Sequence, residues 1–199
     1  MSVWLRISFG GGMVIYSWKK IVRTSLPLLM ICACIEIFAG QMLQSQQMVL
    51  IALPIFLMAI PVINGVGGNV GSVLGARIAS GLHIGSISLD IKDKVMQKNL
   101  LNAVVIGIVI YAVLGLIIYL ISSIGGIYHN VGIWEFVLVI LGTGAFLIVM
   151  VSIVSVVTAF IAFKRGLDPD DMVAPVVTTV GDMFGIILLF LMMGVFGLV

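Results

Sequence analysis

Two carboxylic acids, Glu36 and Asp182, lie inside long apolar stretches of the chain. A charged side chain at the centre of a membrane-spanning helix costs at least about 2.5 kcal/mol, so each acid is expected to face a bundle interior or water. Asn69, Asn64 and Thr178 add neutral oxygens within comparable stretches, and Thr178 falls one helical turn before Asp182. Hard cations take such oxygen ligands, and magnesium in particular is held by few carboxylates and keeps several waters. The chemistry at stake is ligation of a largely hydrated divalent cation, and embedded acids argue against a path for anions.

Depth makes the grouping stronger. Asp182 follows Asp171 by about 16 Å of helix, Glu36 follows Thr24 by about 18 Å, and Asn69 precedes Leu82 by about 20 Å, at 1.5 Å per residue. Three oxygen-bearing side chains from three helices are thus expected at similar depth. Around Asn69 the sequence reads Pro61-Val-Ile-Asn64-Gly-Val-Gly-Gly-Asn69-Val-Gly71, with Gly65, Gly67, Gly68, Gly71 and Gly75 close together. Irregular or polar backbone at membrane depth survives only against protein or a wet cavity. This stretch is therefore read as a pore or binding-site wall, whose rows of small residues (Gly67, Gly71, Gly75, Ala79 and Gly68, Ser72, Ala76, Ser80) admit another backbone closely.

The elements that must hold these residues follow from composition. The chain has 199 residues, of which 62% are hydrophobic and 9% charged, a balance that excludes a soluble domain and specifies an all-α polytopic membrane protein. Five crossings are expected: about Thr24–Leu43, Met48–Leu82, Asn99–Ile121, Ile133–Phe163 and Met172–Val199. Thr24 or Ser25 is placed to cap the first, with Pro27 in its first turn. The second is long for one span; tilt or a break near Asn64–Gly68 would account for it, Pro54 and Pro61 are natural kink points, and a broken helix is the expectation. The fourth is expected to tilt or break at Gly142 and Gly144. Asp168-Pro169-Asp170-Asp171 reads as the capped start of the fifth, where Pro175 loosens the ladder and Gly181 and Gly185 leave room beside Asp182.

Residues 1–23 mix Trp4, Phe9, Tyr16 and Trp18 with Arg6, Lys19, Lys20 and Arg23, an amphipathic lead-in lying in the membrane interface; no cleavable signal peptide is expected. All ten Lys and Arg residues fall before crossing one, around the loop after crossing two, or after crossing four. The N-terminus is therefore expected in the cytoplasm and the C-terminus outside. Cys32 and Cys34 read as packing residues, His83 and His129 as surface residues near membrane ends, and Arg77 as a side chain that snorkels or pairs with an acid. No nucleotide-binding loop or zinc-protease signature is present.

The Pro61–Gly71 stretch with its Gly-Gly-Asn-Val-Gly core, together with Asp168-Pro-Asp-Asp and Pro175-Val-Val-Thr-Thr-Val-Gly-Asp182, resembles the membrane domain of the MgtE-type magnesium transporters and their eukaryotic solute-carrier relatives, over residues 24–199. The resemblance implies a five-helix unit that forms a parallel homodimer, or pairs with a diverged copy, around a central cation path. It makes Asp182 the pore aspartate and Asn69 a pore-lining residue, matches Glu36 to an acid of the first helix, and sets Thr178 and Thr179 at or beside the site. Mg2+ is then the transported ion, with Mn2+ or other divalent cations as further candidates, in a multi-pass protein of the cell membrane. Partners are membrane lipid and the second copy, with no nucleic acid. Magnesium feedback through large cytosolic domains is not expected of this chain. A sodium- or proton-coupled exchanger and a non-transporting helical scaffold are the alternatives, and no enzymatic activity is expected.

Overall fold

A computed structural model describes residues 18–90, 92–127 and 131–198. Its helices are α1 (Trp18–Ser45), α2 (Gln47–Ala52), α3 (Pro54–His83), α4 (Lys94–Ile124), α5 (Ile133–Lys164) and α6 (Pro169–Val195), with no strand among the described residues. Five of them, all but α2, are long and apolar enough to cross a bilayer, which makes the chain a multi-pass membrane protein. Most of the interfacial reading of the N-terminal segment, from Met1 to Ser17, and the placement of His129 lie outside the described residues.

α3, α5 and α6 pack on one another, α4 covers α3 and α5, and α1 touches α6 alone among the spanning helices. Most of α1 is accordingly open, with Met30, Ile31, Ile37 and Phe38 exposed, as suits side chains that face lipid. The buried centre holds Phe56, Ile63, Leu74 and Ile78 of α3, Phe136, Leu147 and Ile148 of α5, and Val177 and Leu189 of α6.

Several element boundaries differ from the sequence reading. α1 is helical from Trp18, so Thr24 and Ser25 stand inside it rather than at its start, and Pro27 is an interior residue. Pro27 leaves the Arg23 carbonyl without its helical donor, near the polar end of the helix where water can supply one.

The second difference concerns the chain between Met48 and Leu82. It is interrupted at Leu53 (φ −128°, ψ 69°) and is continuous helix through Asn64–Gly68. Proline disfavours helical backbone in the residue before it and itself suits a first helical position, which places the interruption at Leu53 and Pro54. At Asn64–Gly68 a break would strand amides in an apolar layer, whereas the intact helix is gripped from two sides. Tyr111 of α4, fully buried, donates from its hydroxyl to the Ile63 carbonyl at 2.8 Å, and Ser155 of α5 donates to the Gly71 carbonyl at 2.8 Å. α5 is likewise uninterrupted at Gly142 and Gly144; Gly144 instead provides the flat surface on which the Tyr111 ring lies.

α4 begins five residues before the expected Asn99 because Asp93 caps it. Asp93 Oδ1 accepts from the Val95 and Met96 amides at 2.8 and 3.0 Å, and Oδ2 accepts from the Ser88 amide and hydroxyl, both at 3.0 Å. These bonds, the Ser88 amide first and the Met96 amide next, hold the Asp93 carboxyl down at about 2, although the group is on the surface. A folded-state value below the ordinary 3.8 means the cap stabilises above that pH and is lost as pH falls toward 2. Asp93→Asn is expected to flatten the fall in thermal midpoint between pH 4 and about 2, measured on purified protein in detergent. An unchanged acid limb would show that the loop's structure does not depend on this carboxylate.

Candidate functional site

Asp182 stands at the middle of α6, which Pro169 starts at its first residue. It is half-buried, and its carboxylate has no hydrogen-bond or ion-pair partner among the described residues. Its backbone is held from α3: Asn64 Nδ2 donates to the Asp182 carbonyl at 3.4 Å. The same amide packs its oxygen against Gly185, one turn along α6, and that buried Oδ1 has no donor. The room that Gly185 leaves is thus taken by Asn64.

The close approach of α3 to α6 comes from glycine on both sides. A Cβ added to Gly181 would lie 3.5 Å from the Gly68 nitrogen, and one added to Gly68 would lie 3.0 Å from Thr178 Cγ2. One turn on, Gly71 and Gly75 leave space filled by Val177 and Val173 of α6, while Gly67 faces Leu147 of α5 and the Tyr111 hydroxyl. The row Gly67, Gly71, Gly75 and Ala79 is buried, whereas Ala76 and Ser80 of the second row are exposed. Pro61 and Gly65 are also exposed, and nothing stands near a Cβ added at Gly65.

α1 brings the second acid to α6. Thr179 donates from its hydroxyl to Glu36 Oε1 at 3.2 Å, and Glu36 lies within electrostatic reach of Asp182. Glu36 is exposed and lines a cleft of about 320 Å³ with Cys32, Pro175, Thr178 and Thr179. Pro175 lies inside α6, and its carbonyl accepts from the Cys32 thiol at 3.7 Å and from Thr178 Oγ1 at 3.1 Å. Thr178 also donates to the Ala174 carbonyl at 2.9 Å, so its hydroxyl hydrogen serves its own helix and only lone pairs remain for a ligand. Cys34 is exposed and away from this cleft.

Glu36, Thr178, Thr179, Asp182 and Asn64 therefore gather along α6. Asn69 does not join them. It is exposed in a separate cleft between α3 and α4, with Arg77 and Asn99. Five helical residues separate Asn64 from Asn69, an angular offset of about 140° at 3.6 residues per turn, so the two amides leave α3 in different directions. Arg77 has no acidic partner among the described residues.

The sequence reading passed over Tyr111 and Ser155, whose hydroxyls grip the α3 backbone beside the site. A tyrosine in the middle of an apolar crossing was the available signal, since a buried phenol needs a hydrogen-bond partner.

Among the described residues no three His, Cys, Asp or Glu side chains gather as a closed metal cage. What one chain offers is two carboxylates from facing helices, a threonine and an accessible cleft. That donor set suits an ion retaining most of its water.

The family model for MgtE, described as a divalent cation transporter, matches residues 60–192, about two-thirds of the chain, from α3 beside Pro61 to α6 beyond Asp182. Asn64, Asn69, Thr178, Thr179 and Asp182 fall within the match and Glu36 outside it. No curated protein matches the chain. With the matched stretch covering α4, α5 and most of α3 and α6, the chain belongs to the MgtE family of divalent cation transporters.

Proposed function

We propose that this protein conducts Mg2+ across the cell membrane past Asp182, as a passive channel or transporter built from two parallel copies with cytoplasmic N-termini. The observation that carries the reading is the Asp182 carboxylate itself: half-exposed at the middle of a spanning helix, with no ion-pair partner among the described residues. A carboxylate kept unpaired at that depth is costly for folding alone. A hydrated divalent ion repays it through charge while making few direct bonds to protein.

Glu36 supplies a second negative charge on the α1 side, and the Asn64 contact fixes the α6 backbone at Asp182. A second copy would add a second Asp182 and cover the open α3 surface at Pro61, Gly65, Ala76 and Ser80. The clustering of Lys and Arg at one set of helix ends supports that orientation. An inside-negative membrane contributes about 4.6 kcal/mol per 100 mV for a divalent cation, so influx requires no other fuel. Mn2+ shares the preference for oxygen ligands and octahedral geometry and would be carried by the same site.

The neighbouring acids Glu36 and Asp182 also suit a proton-coupled exchanger, in which one of them gives up a proton as the cation binds. Purified protein in sealed liposomes with an internal Mg2+ dye separates these readings. Influx that follows the imposed voltage and ignores a pH or Na+ gradient at clamped voltage is expected. Influx that requires either gradient would assign the exchanger, and no Mg2+ influx under any condition would overturn the transport reading.

A further inference from the structure

The cleft between α3 and α4 is not used by the cation path proposed above, and its chemistry is of another kind. It encloses about 280 Å³ and has an apolar floor of Val70, Val73, Ala103 and Ile106. Polar groups stand at both ends: Arg77 and Asn99 toward one, Asn69 toward the other. Arg77 lies about 9 Å from the His83 end of α3, and Asn99 about 8 Å from the Lys94 end of α4, at 1.5 Å per residue. These two side chains therefore share one level near the surface where the lysines and arginines gather, and the floor residues lie deeper.

The charge around the mouth is one-sided. Arg77 has no acidic partner among the described residues, and Lys94 and Lys98 are exposed on the first turns of α4. The acids of the connecting loop are turned to backbone, Asp93 onto Ser88, Val95 and Met96 and Asp90 onto the Lys92 amide at 3.0 Å.

From this arrangement we propose that the α3–α4 cleft binds an anionic phospholipid of the leaflet on the basic side. Its phosphate sits between Arg77 and Asn99, and one acyl chain lies over Val73, Ala103 and Ile106 toward Asn69. Guanidinium recognises phosphate by paired, charge-assisted hydrogen bonds, and a basic pocket between spanning helices is suited to anionic headgroups. A soluble phosphate would account for Arg77 and leave the apolar floor without purpose. The amphipathic cleft is matched by a molecule that has a charged head joined to a hydrocarbon tail.

Native mass spectrometry of the full chain in detergent, titrated with phosphatidylglycerol and separately with phosphatidylcholine, tests this. Phosphatidylglycerol is expected to bind more tightly, and Arg77→Gln to weaken it about fivefold. Arg77 is exposed, so this variant is expected to fold. Arg165→Gln, on the same side but outside the cleft, is expected to leave affinity unchanged. Val73→Trp, on an exposed position of the floor, is expected to reduce binding as strongly as Arg77→Gln. Equal affinity for both lipids, an equal loss in Arg165→Gln, or full binding by Val73→Trp would each overturn the proposal. So would a change of oligomeric state in Val73→Trp with lipid binding intact, since a second copy would then occupy the cleft.

Discussion

Asp182→Asn is expected to slow Mg2+ flux between about tenfold and a hundredfold, while the protein folds as well as the unsubstituted chain. Asparagine keeps the shape and one carbonyl oxygen of the side chain, so the comparison isolates charge. A hydrogen bond to a charged group is worth about 1.5–3 kcal/mol, and each 1.36 kcal/mol is a factor of ten in rate. The retained fold follows from the geometry: α3 holds the Asp182 backbone carbonyl through Asn64, a contact asparagine preserves. The carboxylate itself has no protein partner among the described residues to lose. Neutralising it also removes the cost of a charge at membrane depth, so the thermal midpoint in detergent is expected to hold or rise as flux falls. Fluxes of both proteins in liposomes at one clamped voltage, with midpoints alongside, give the answer. Wild-type flux in Asp182→Asn would remove Asp182 from the path, and a collapsed midpoint would make the aspartate a packing residue.

The acids were visible in the sequence because cost makes them so: a carboxylate in an apolar run requires a reason wherever the helices lie. Depth was legible too, since rise per residue is constant and Asp182 occupies the middle of α6. Azimuth was harder. Equal depth suggested that Asn69 joins Asp182, but the side chain leaves α3 toward α4, and the Gly-Gly-Asn run could not show which of its neighbours α6 would cover. The Thr179–Glu36 hydrogen bond joins residues 143 apart in the chain, and no local pattern announces it.

The glycines misled in the other direction. The length of the second crossing favoured a break at Asn64–Gly68, where glycine lowers helix propensity by about 1 kcal/mol per residue in water. In an apolar layer a broken helix exposes amides with no water to satisfy them, and the valines of α6 fill the spaces that the glycines leave. Proline outweighed glycine, so the interruption sits before Pro54.

Those spaces carry the second large effect. Gly75→Leu is expected to lower stability by about 3 kcal/mol, at the upper end for overpacked interiors, or roughly 10 °C in midpoint for a chain of this size. The first added carbon would already meet Val173, with Ser155 Oγ at 2.9 Å on the other side. Both neighbours belong to packed helices rather than to flexible surface, so α6 or α5 must shift, and a shift of α6 carries Asp182 with it. Gly65→Leu is the contrasting case on the same helix: no atom stands within 4 Å of a Cβ there, and leucine improves helix propensity by up to about 1 kcal/mol. Its midpoint is expected to be unchanged or higher. Val173→Ala combined with Gly75→Leu returns part of the lost volume and is expected to recover a measurable share of the stability, a coupling read from the double-mutant cycle. Because Gly65 lies on the exposed side of α3 that a second copy would cover, its substitution also separates packing from passage. A stable Gly65→Leu protein with diminished Mg2+ flux would place the path along that face, whereas full flux would place it away from Gly65 and leave the glycine as a residue of the lipid surface.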